Sequence, residues 1–330
     1  MVIALSLGLV GCIEHHVSRQ ETTDVFVQEA SSTVDVLWVI DDSVSMAGEQ
    51  VRLADGFGAF ATSLDDSLID YHLGVITTDM DPDNAQAGVL QGAPPFLAPD
   101  PDTVPLFQER VLVGTDGSGK EKGIAAAIAA VTEPLVSGAN AGFVRDQATL
   151  LLVFLTDEDD CSDGDALDDE PADACYTQGE ALVPVADLHA ELVAAKHGQG
   201  QVLAAGILGT TDGSCAESWP GLRYEALIDA TGGWLGDICS ADYAGLLEAL
   251  GLTVQEQRTV FQLSYVAVES SLEVSVGDTL IAPDPVTGWT YDPDYSTIRF
   301  DGTTVPPRDT TISVTYEVLH GATVPELESP

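Results

Sequence analysis

Positive charge is what this chain has least of. Its 330 residues carry 11 lysines and arginines against 54 aspartates and glutamates, a net charge of −43. A surface so poor in cations cannot displace the counterions around phosphate, so nucleic acid is excluded as a partner. The same balance suits divalent cations, or an extracellular surface kept soluble by self-repulsion. General acidic adaptation to salt accounts for the total equally well, but not for where the carboxylates cluster. Enzyme signatures are also missing. "GTDGSGK" (114–120) lacks the spacing of a nucleophile elbow, and "GSGKEK" lacks the P-loop pattern. The histidines His72, His189, His197 and His320 are scattered, and no triad can be assembled from them.

No apolar run is long enough to span a bilayer. The longest at the start, "MVIALSLGLVGC", has the length of a secretory h-region. Leu9-Val10-Gly11-Cys12 resembles a bacterial lipobox, which implies cleavage before Cys12 and lipidation of that cysteine. A buried N-terminal strand is the alternative. Ile13 after the cysteine implies sorting to the outer membrane of a Gram-negative bacterium. Residues 13–31, with His15 and His16, read as a polar tether.

Cysteine is sparse too, with five in all. Beyond Cys12, the remaining four in an exported chain read as two disulfides. Three pairings exist, and sequence proximity favours Cys161–Cys175 with Cys215–Cys239. Each closes a short loop and contributes roughly 3 kcal/mol in the chain-entropy model. A zinc site lacks the C-x-x-C or histidine pair it needs.

What the chain does have is a strong alternation of strand and helix patterns over 32–256. "VDVLWVI" (34–40), "YHLGVITT" (71–78), "TLLLVFLT" (149–156) and "QVLAAGIL" (201–208) are near-continuous apolar runs, as in strands buried on both faces. Helical spacing fits 46–66, the segment from Glu121 to Pro134, 180–197, 221–231 and 240–251. Residues 80–119 are rich in Pro, Gly and Asp and read as loop, with room for a hairpin around "RVLVG". The pattern predicts an α/β fold: a doubly wound, mostly parallel sheet with helices on both faces. After 257 the period falls to two, predicting a small all-β module over 257–320. Residues 321–330 read as a disordered tail.

In such a sheet, ligands collect at the carboxyl ends of the strands. Two of the most charged stretches lie there: Asp41-Asp42-Ser43-Val44-Ser45 and Asp157-Glu158-Asp159-Asp160. Carboxylate and hydroxyl oxygens are the ligand set of a hard divalent cation. The D-x-S-x-S spacing places Asp41, Ser43 and Ser45 on one side of a tight loop, with Asp42 as spacer. The plainer reading is a turn in which a serine caps the next helix. Residues 157–173 hold ten carboxylates in seventeen positions. Their spacing is not that of an EF-hand, so a solvated acidic loop is preferred to a second calcium site.

"VDVLWVIDDSVSM" resembles the first motif of a von Willebrand factor A domain, the metal-ion-dependent adhesion site. "LLVFLTDEDDCS" resembles the strand and loop that supply that site's later aspartate. The resemblance covers about 32–255 and implies a cation bound by Asp41, Ser43, Ser45 and Asp157. Mg²⁺ is the first choice, with Ca²⁺ or Mn²⁺ as alternatives. It also implies an open position for an acidic group of an extracellular protein or glycan. The family's Gly-Gly-Thr turn is absent. Glu121 is the best substitute, ahead of Thr78 and Thr115, and a helix N-terminal charge is its alternative role.

The expected function is therefore metal-dependent binding or adhesion at the cell surface, without enzymatic activity and with membrane contact through the lipid anchor only. A structural envelope lipoprotein, whose metal only stabilises the fold, is the alternative. A metal-dependent phosphoesterase is a weaker one. A haloacid-dehalogenase-type phosphatase would need an aspartate where Ser43 stands, and a lysine from among only Lys120, Lys122 and Lys196.

Overall fold

A computed structural model of the protein describes residues 21–28, 33–66, 69–146, 148–196, 202–211, 215, 218–254, 260–285, 287–293, 296–300, 306 and 310–318. The signal segment with Cys12, His15 and His16, and the tail 321–330, lie outside the described residues.

Five strands form the parallel sheet that the apolar runs predict. They are β2 (Thr33–Ile40), β3 (Asp70–Thr77), β4 (Thr149–Thr156), β5 (Val202–Leu208) and β6 (Trp234–Asp237), in the order β3-β2-β4-β5-β6. All four pairings are parallel. Helices α1 (Ala47–Asp66), α2 (Thr103–Arg110) and α7 (Tyr243–Val254) cover one face; α3 (Gly123–Val131), α5 (Val185–Ala195) and α6 (Leu222–Thr231) cover the other. Side chains alternate across a strand, so β2 divides its apolar set between two cores. Val34, Val36, Trp38 and Ile40 enter one, and Leu37 and Val39 enter the other.

Residues 103–110 are helical, and the hairpin expected around 110–114 does not form. Pro105 falls in the first turn, where its missing N–H costs nothing. Phe107 stacks on Phe57 of α1 at 3.6 Å and meets Trp38 edge-on at 5.4 Å. Burial of that one ring outweighs the loop-like composition around it. The short strand β6 is a further element that apolar runs do not announce.

The all-β module departs from expectation at its membership. Residues 21–27, expected in a polar tether, form β1 (Glu21–Val27), which pairs along its whole length with β12 (Thr311–Glu317). One antiparallel sheet has the order β1-β12-β8-β9, with β8 at Glu273–Val276 and β9 at Thr279–Ile281. A second contains β10 (Trp289–Asp292), β11 (Thr297–Phe300) and β7 (Val260–Gln262). Between them lie Phe261, Val274, Ile298, Phe300, Ile312 and Tyr316. Phe26 of β1 joins this core, its ring 5.3 Å from that of Phe261. Asp24 accepts hydrogen bonds from the Ser264 amide (2.7 Å) and the Tyr316 hydroxyl (2.8 Å). The module is thus built from both sides of the α/β domain, which is inserted between β1 and β7.

Both disulfides are the sequence-local ones, Cys161–Cys175 and Cys215–Cys239, with Cα separations of 5.3 and 5.5 Å. A short helix, α4 (Ala174–Thr177), carries Cys175.

If β1 belongs to the module, Phe26→Ala removes half-buried aromatic surface from its core. The expected loss is about 1–2 kcal/mol, read by calorimetry as a lower melting temperature. A tether residue would leave the transition where it was.

Candidate metal centre

The strand order sets β2 between β3 and β4, so their carboxyl ends open on one place. Asp41 leaves β2 with its amide still bonded to the Leu155 carbonyl of β4. Its side chain is fully buried. One oxygen accepts the Ser43 N–H at 2.7 Å and the other accepts the Thr156 hydroxyl at 2.6 Å. Gln50 of α1 donates to the Asp41 carbonyl at 3.0 Å and to that of Gly114 at 2.7 Å, fixing the turn.

Ser43 and Ser45 do not act as simple helix caps. Their hydroxyl oxygens lie 3.0 Å apart, and Ser45 Oγ donates to Asp157 Oδ1 at 3.1 Å. A chain of oxygens therefore runs from Ser43 through Ser45 to Asp157, beside the Asp41 carboxylate.

Glu121 approaches from the third side. Its carbonyl accepts the Cys161 N–H at 2.6 Å, and the next amide, Lys122 N–H, donates to the Thr78 carbonyl at 3.1 Å. The segment is thereby strung between the ends of β3 and β4. Thr78 Oγ1 donates to Glu121 Oε2 in a very short contact. The other carboxyl oxygen, Oε1, is buried and receives no N–H or hydroxyl donor among the described residues, in a side chain only 1% exposed. Glu121 precedes α3 by two residues, and the helix's first amides are taken by Tyr224, Asp160 and Ser162. The helix-charge role is therefore filled by other groups. Of the two threonines weighed as substitutes, Thr78 joins the site; among the described residues no hydrogen bond ties Thr115 to it.

The electrostatics follow from burial. Burial, and then the Asp41 charge, push the Glu121 carboxyl up to about 10. Burial and Asp41 likewise raise Asp157 to about 6. Asp42 is no mere spacer. Burial and its neighbours Asp79 and Asp41 raise it to about 7, and its Oδ1 is buried and unpartnered. It packs against Gly117, where a Cβ would fall 2.3 Å from the Asp42 carboxyl carbon.

Elsewhere, buried acids have basic partners. Asp35 pairs with Arg145 at 2.7 Å, Asp160 with Arg223 at 3.1 Å, and Asp163 with Lys122 at 2.8 Å. The 157–173 segment is consequently not a solvated loop throughout. Asp160 and Asp163 are buried braces, while Asp165, Asp169, Glu170 and Asp173 are exposed. Among the described residues no ion pair reaches Asp41, Asp157 or Glu121.

Thr156 was not singled out in the sequence. It reads as the last residue of an apolar strand, and only the pairing of β2 with β4 places its hydroxyl on Asp41. One more cluster, Cys215, Asp237 and Cys239, has its side-chain atoms within 4.8 Å. Its cysteines are joined to each other, so no thiolate is left to bind a metal.

No protein-family model matches the chain, and no curated protein does. Among solved structures it is similar to the pilus adhesin SpaC from Lactobacillus rhamnosus GG, at 12% identity and TM-score 0.40 over 90% of this chain. It is also similar to proximal thread matrix protein 1 from the mussel byssus, at 15% identity and TM-score 0.42 over 73% of this chain. The chain spans 41% of the adhesin and 52% of the matrix protein. No helix among the described residues is long and apolar enough to cross a membrane.

The raised carboxyls fix the sign of one pH effect. A glutamate whose folded pKa lies at about 10, above its unfolded value, holds its proton in the folded state. Folding then takes up a proton, and stability falls as pH rises from the unfolded pKa toward 10. Without divalent cations, melting temperature should fall between pH 5 and 8, and Glu121→Gln should flatten that fall. An unchanged slope in the variant would contradict the placement of Glu121.

Proposed function

We propose that the protein is a divalent-cation-dependent binding protein of the von Willebrand factor A type, displayed at a cell surface. One observation carries the reading: at the converging strand ends, buried Asp41 and Glu121 and half-buried Asp157 meet with no basic partner among the described residues, and Glu121 Oε1 receives no N–H or hydroxyl donor. Buried carboxylates in that state hold a proton or take up a cation in its place. The donor set is all oxygen, which fits Mg²⁺, Ca²⁺ or Mn²⁺ and disfavours softer metals.

Asp41, Ser43, Ser45, Asp157 and Glu121 would hold the cation, with Thr78 and Thr156 orienting the carboxylates that touch it. A bound cation supplies a Lewis-acidic position at which a partner's oxygen can be fixed. The chain's own contribution is a rigid rim: three strand ends, the Gln50 brace and the 121–122 crossing hold the oxygens in place. We propose binding rather than catalysis because the rim hydroxyls engage carboxylates and each other. The described histidines lie elsewhere: His72 near the amino end of β3 and His189 on α5.

Surface display rests on the Leu9–Cys12 motif, read as a lipid anchor to the outer membrane, and on the disulfides, which need an oxidising compartment. The alternative is a cation that only stabilises the fold, and the depth of Glu121 favours it.

Titration with Mg²⁺, Mn²⁺ and Ca²⁺ tests the site. A hundredfold excess over Kd adds about 2.7 kcal/mol, roughly 5–10 °C in melting temperature for a domain of this size. Asp41→Ala and Ser43→Ala should lose most of that rise. Absence of a rise with all three ions would refute the cation site.

A further inference from the structure

Two large aromatic side chains stand in solvent at the rim of the proposed cation site. Trp219 is 60% exposed and Tyr176 44% exposed, their ring centroids 5.3 Å apart and their planes 33° from parallel. Both are tied to the acidic loop that follows β4. The Trp219 N–H donates to the Asp157 carbonyl at 2.7 Å, and the Tyr176 hydroxyl donates to Glu158 Oε2 at 3.3 Å. Each is also held near a disulfide: Tyr176 follows Cys175 directly, and Trp219 lies four residues after Cys215. Val44, between the two rim serines, is 84% exposed. Rings that pack on each other and are tied to one loop have less side-chain freedom left to lose on binding a partner.

The charge at the rim restricts what that partner can be. The loop against which the aromatic pair lies, residues 157–173, holds ten carboxylates in seventeen positions, with Asp165, Asp169, Glu170 and Asp173 exposed. The whole chain carries a net charge of −43. An incoming carboxylate would meet like charge in a partly desolvated place, where repulsion is weakly screened. Hydroxyl oxygens are hard ligands that bring no charge. A pyranose ring offers both features in one molecule, a C–H face that packs on an aromatic ring and a rim of hydroxyls.

We propose that the partner bound at this site is a neutral carbohydrate, stacked on Trp219 and Tyr176 with its hydroxyls toward the cation. This rests on the cation-site reading of the preceding section and replaces the acidic partner that the family resemblance implies. The replacement follows from the acidic loop beside the aromatic pair, which an anionic partner would have to approach.

The test uses the full chain with Ca²⁺ or Mg²⁺ on immobilised mannan, dextran, galactan and chitin. Polygalacturonate and hyaluronan serve as acidic polymers, and gelatin as a peptide surface. The expected result is retention on at least one neutral polymer and release by EDTA. Trp219→Ala should lower retention roughly tenfold while keeping the cation-induced rise in melting temperature. Tyr176→Ala is the second variant should the first fail to fold. Preference of the native chain for acidic polymers or gelatin, no retention on any neutral polymer, or indifference to both aromatic substitutions would overturn the proposal. If those results come with the cation-induced rise intact, the cation site stands and the carbohydrate alone is refuted. Loss of the rise in the native chain refutes both.

Discussion

The desolvation of Asp41 is the constraint on which the rest of the centre depends. A carboxylate fully out of water must be neutralised, hydrogen-bonded or met by a counter-charge. Here burial raises the Asp41 carboxyl, and the Thr156 hydroxyl, the turn at Ser43 and the Glu121 side chain offset part of that by hydrogen bonding. Asp41 raises the proton affinity of the carboxyls around it, and Glu121 is pushed furthest. On the proposed reading a bound cation would displace that proton, and affinity for either would depend on the other.

The scarcity of positive charge gives this arrangement its sharpness. With so few basic side chains, each buried one has a definite place. Arg145 holds Asp35 at the amino end of the sheet, and Lys122 and Arg223 hold Asp163 and Asp160 in the loop beyond β4. Lys122 immediately follows Glu121, yet its ammonium points to Asp163 and Asp168. Its backbone positions the acid while its charge serves the loop. The acidic loop is thus an internally braced wall, and the negative charge left over gathers at the strand ends.

Much of this was legible in the sequence because parallel sheets leave strong marks. Long apolar runs identify four of the five strands, and the rule that loops converge at their carboxyl ends picks out Asp41, Ser43, Ser45 and Asp157 without coordinates. Glu121 was legible only as a substitute for a missing residue; its crossing between β3 and β4 depends on backbone bonds that no local pattern encodes. Thr156 was hidden because a threonine ending an apolar strand is unremarkable until its neighbour strand is known. Strand β1 was hidden for another reason. Its alternation, "TTDVFV", is short and lies in a polar context, and its partner is near the far end of the chain. Tyr176 and Trp219 carry no periodic signal, and only their exposure beside Asp157 sets them apart.

That far-end partner bears on how the protein can be made. Thr23 is hydrogen-bonded to Thr315, 292 residues further along. At the usual pace of synthesis, roughly 15–60 s separate the emergence of β1 from that of β12. The α/β domain can complete its local strand–helix units in that interval, since those contacts are close in sequence. During the same wait β1 is an unpaired edge carrying Val25, Phe26 and Val27, the kind of segment that recruits wrong partners. Closure of the sandwich therefore waits for β12, and it reports that the polypeptide up to that strand has arrived.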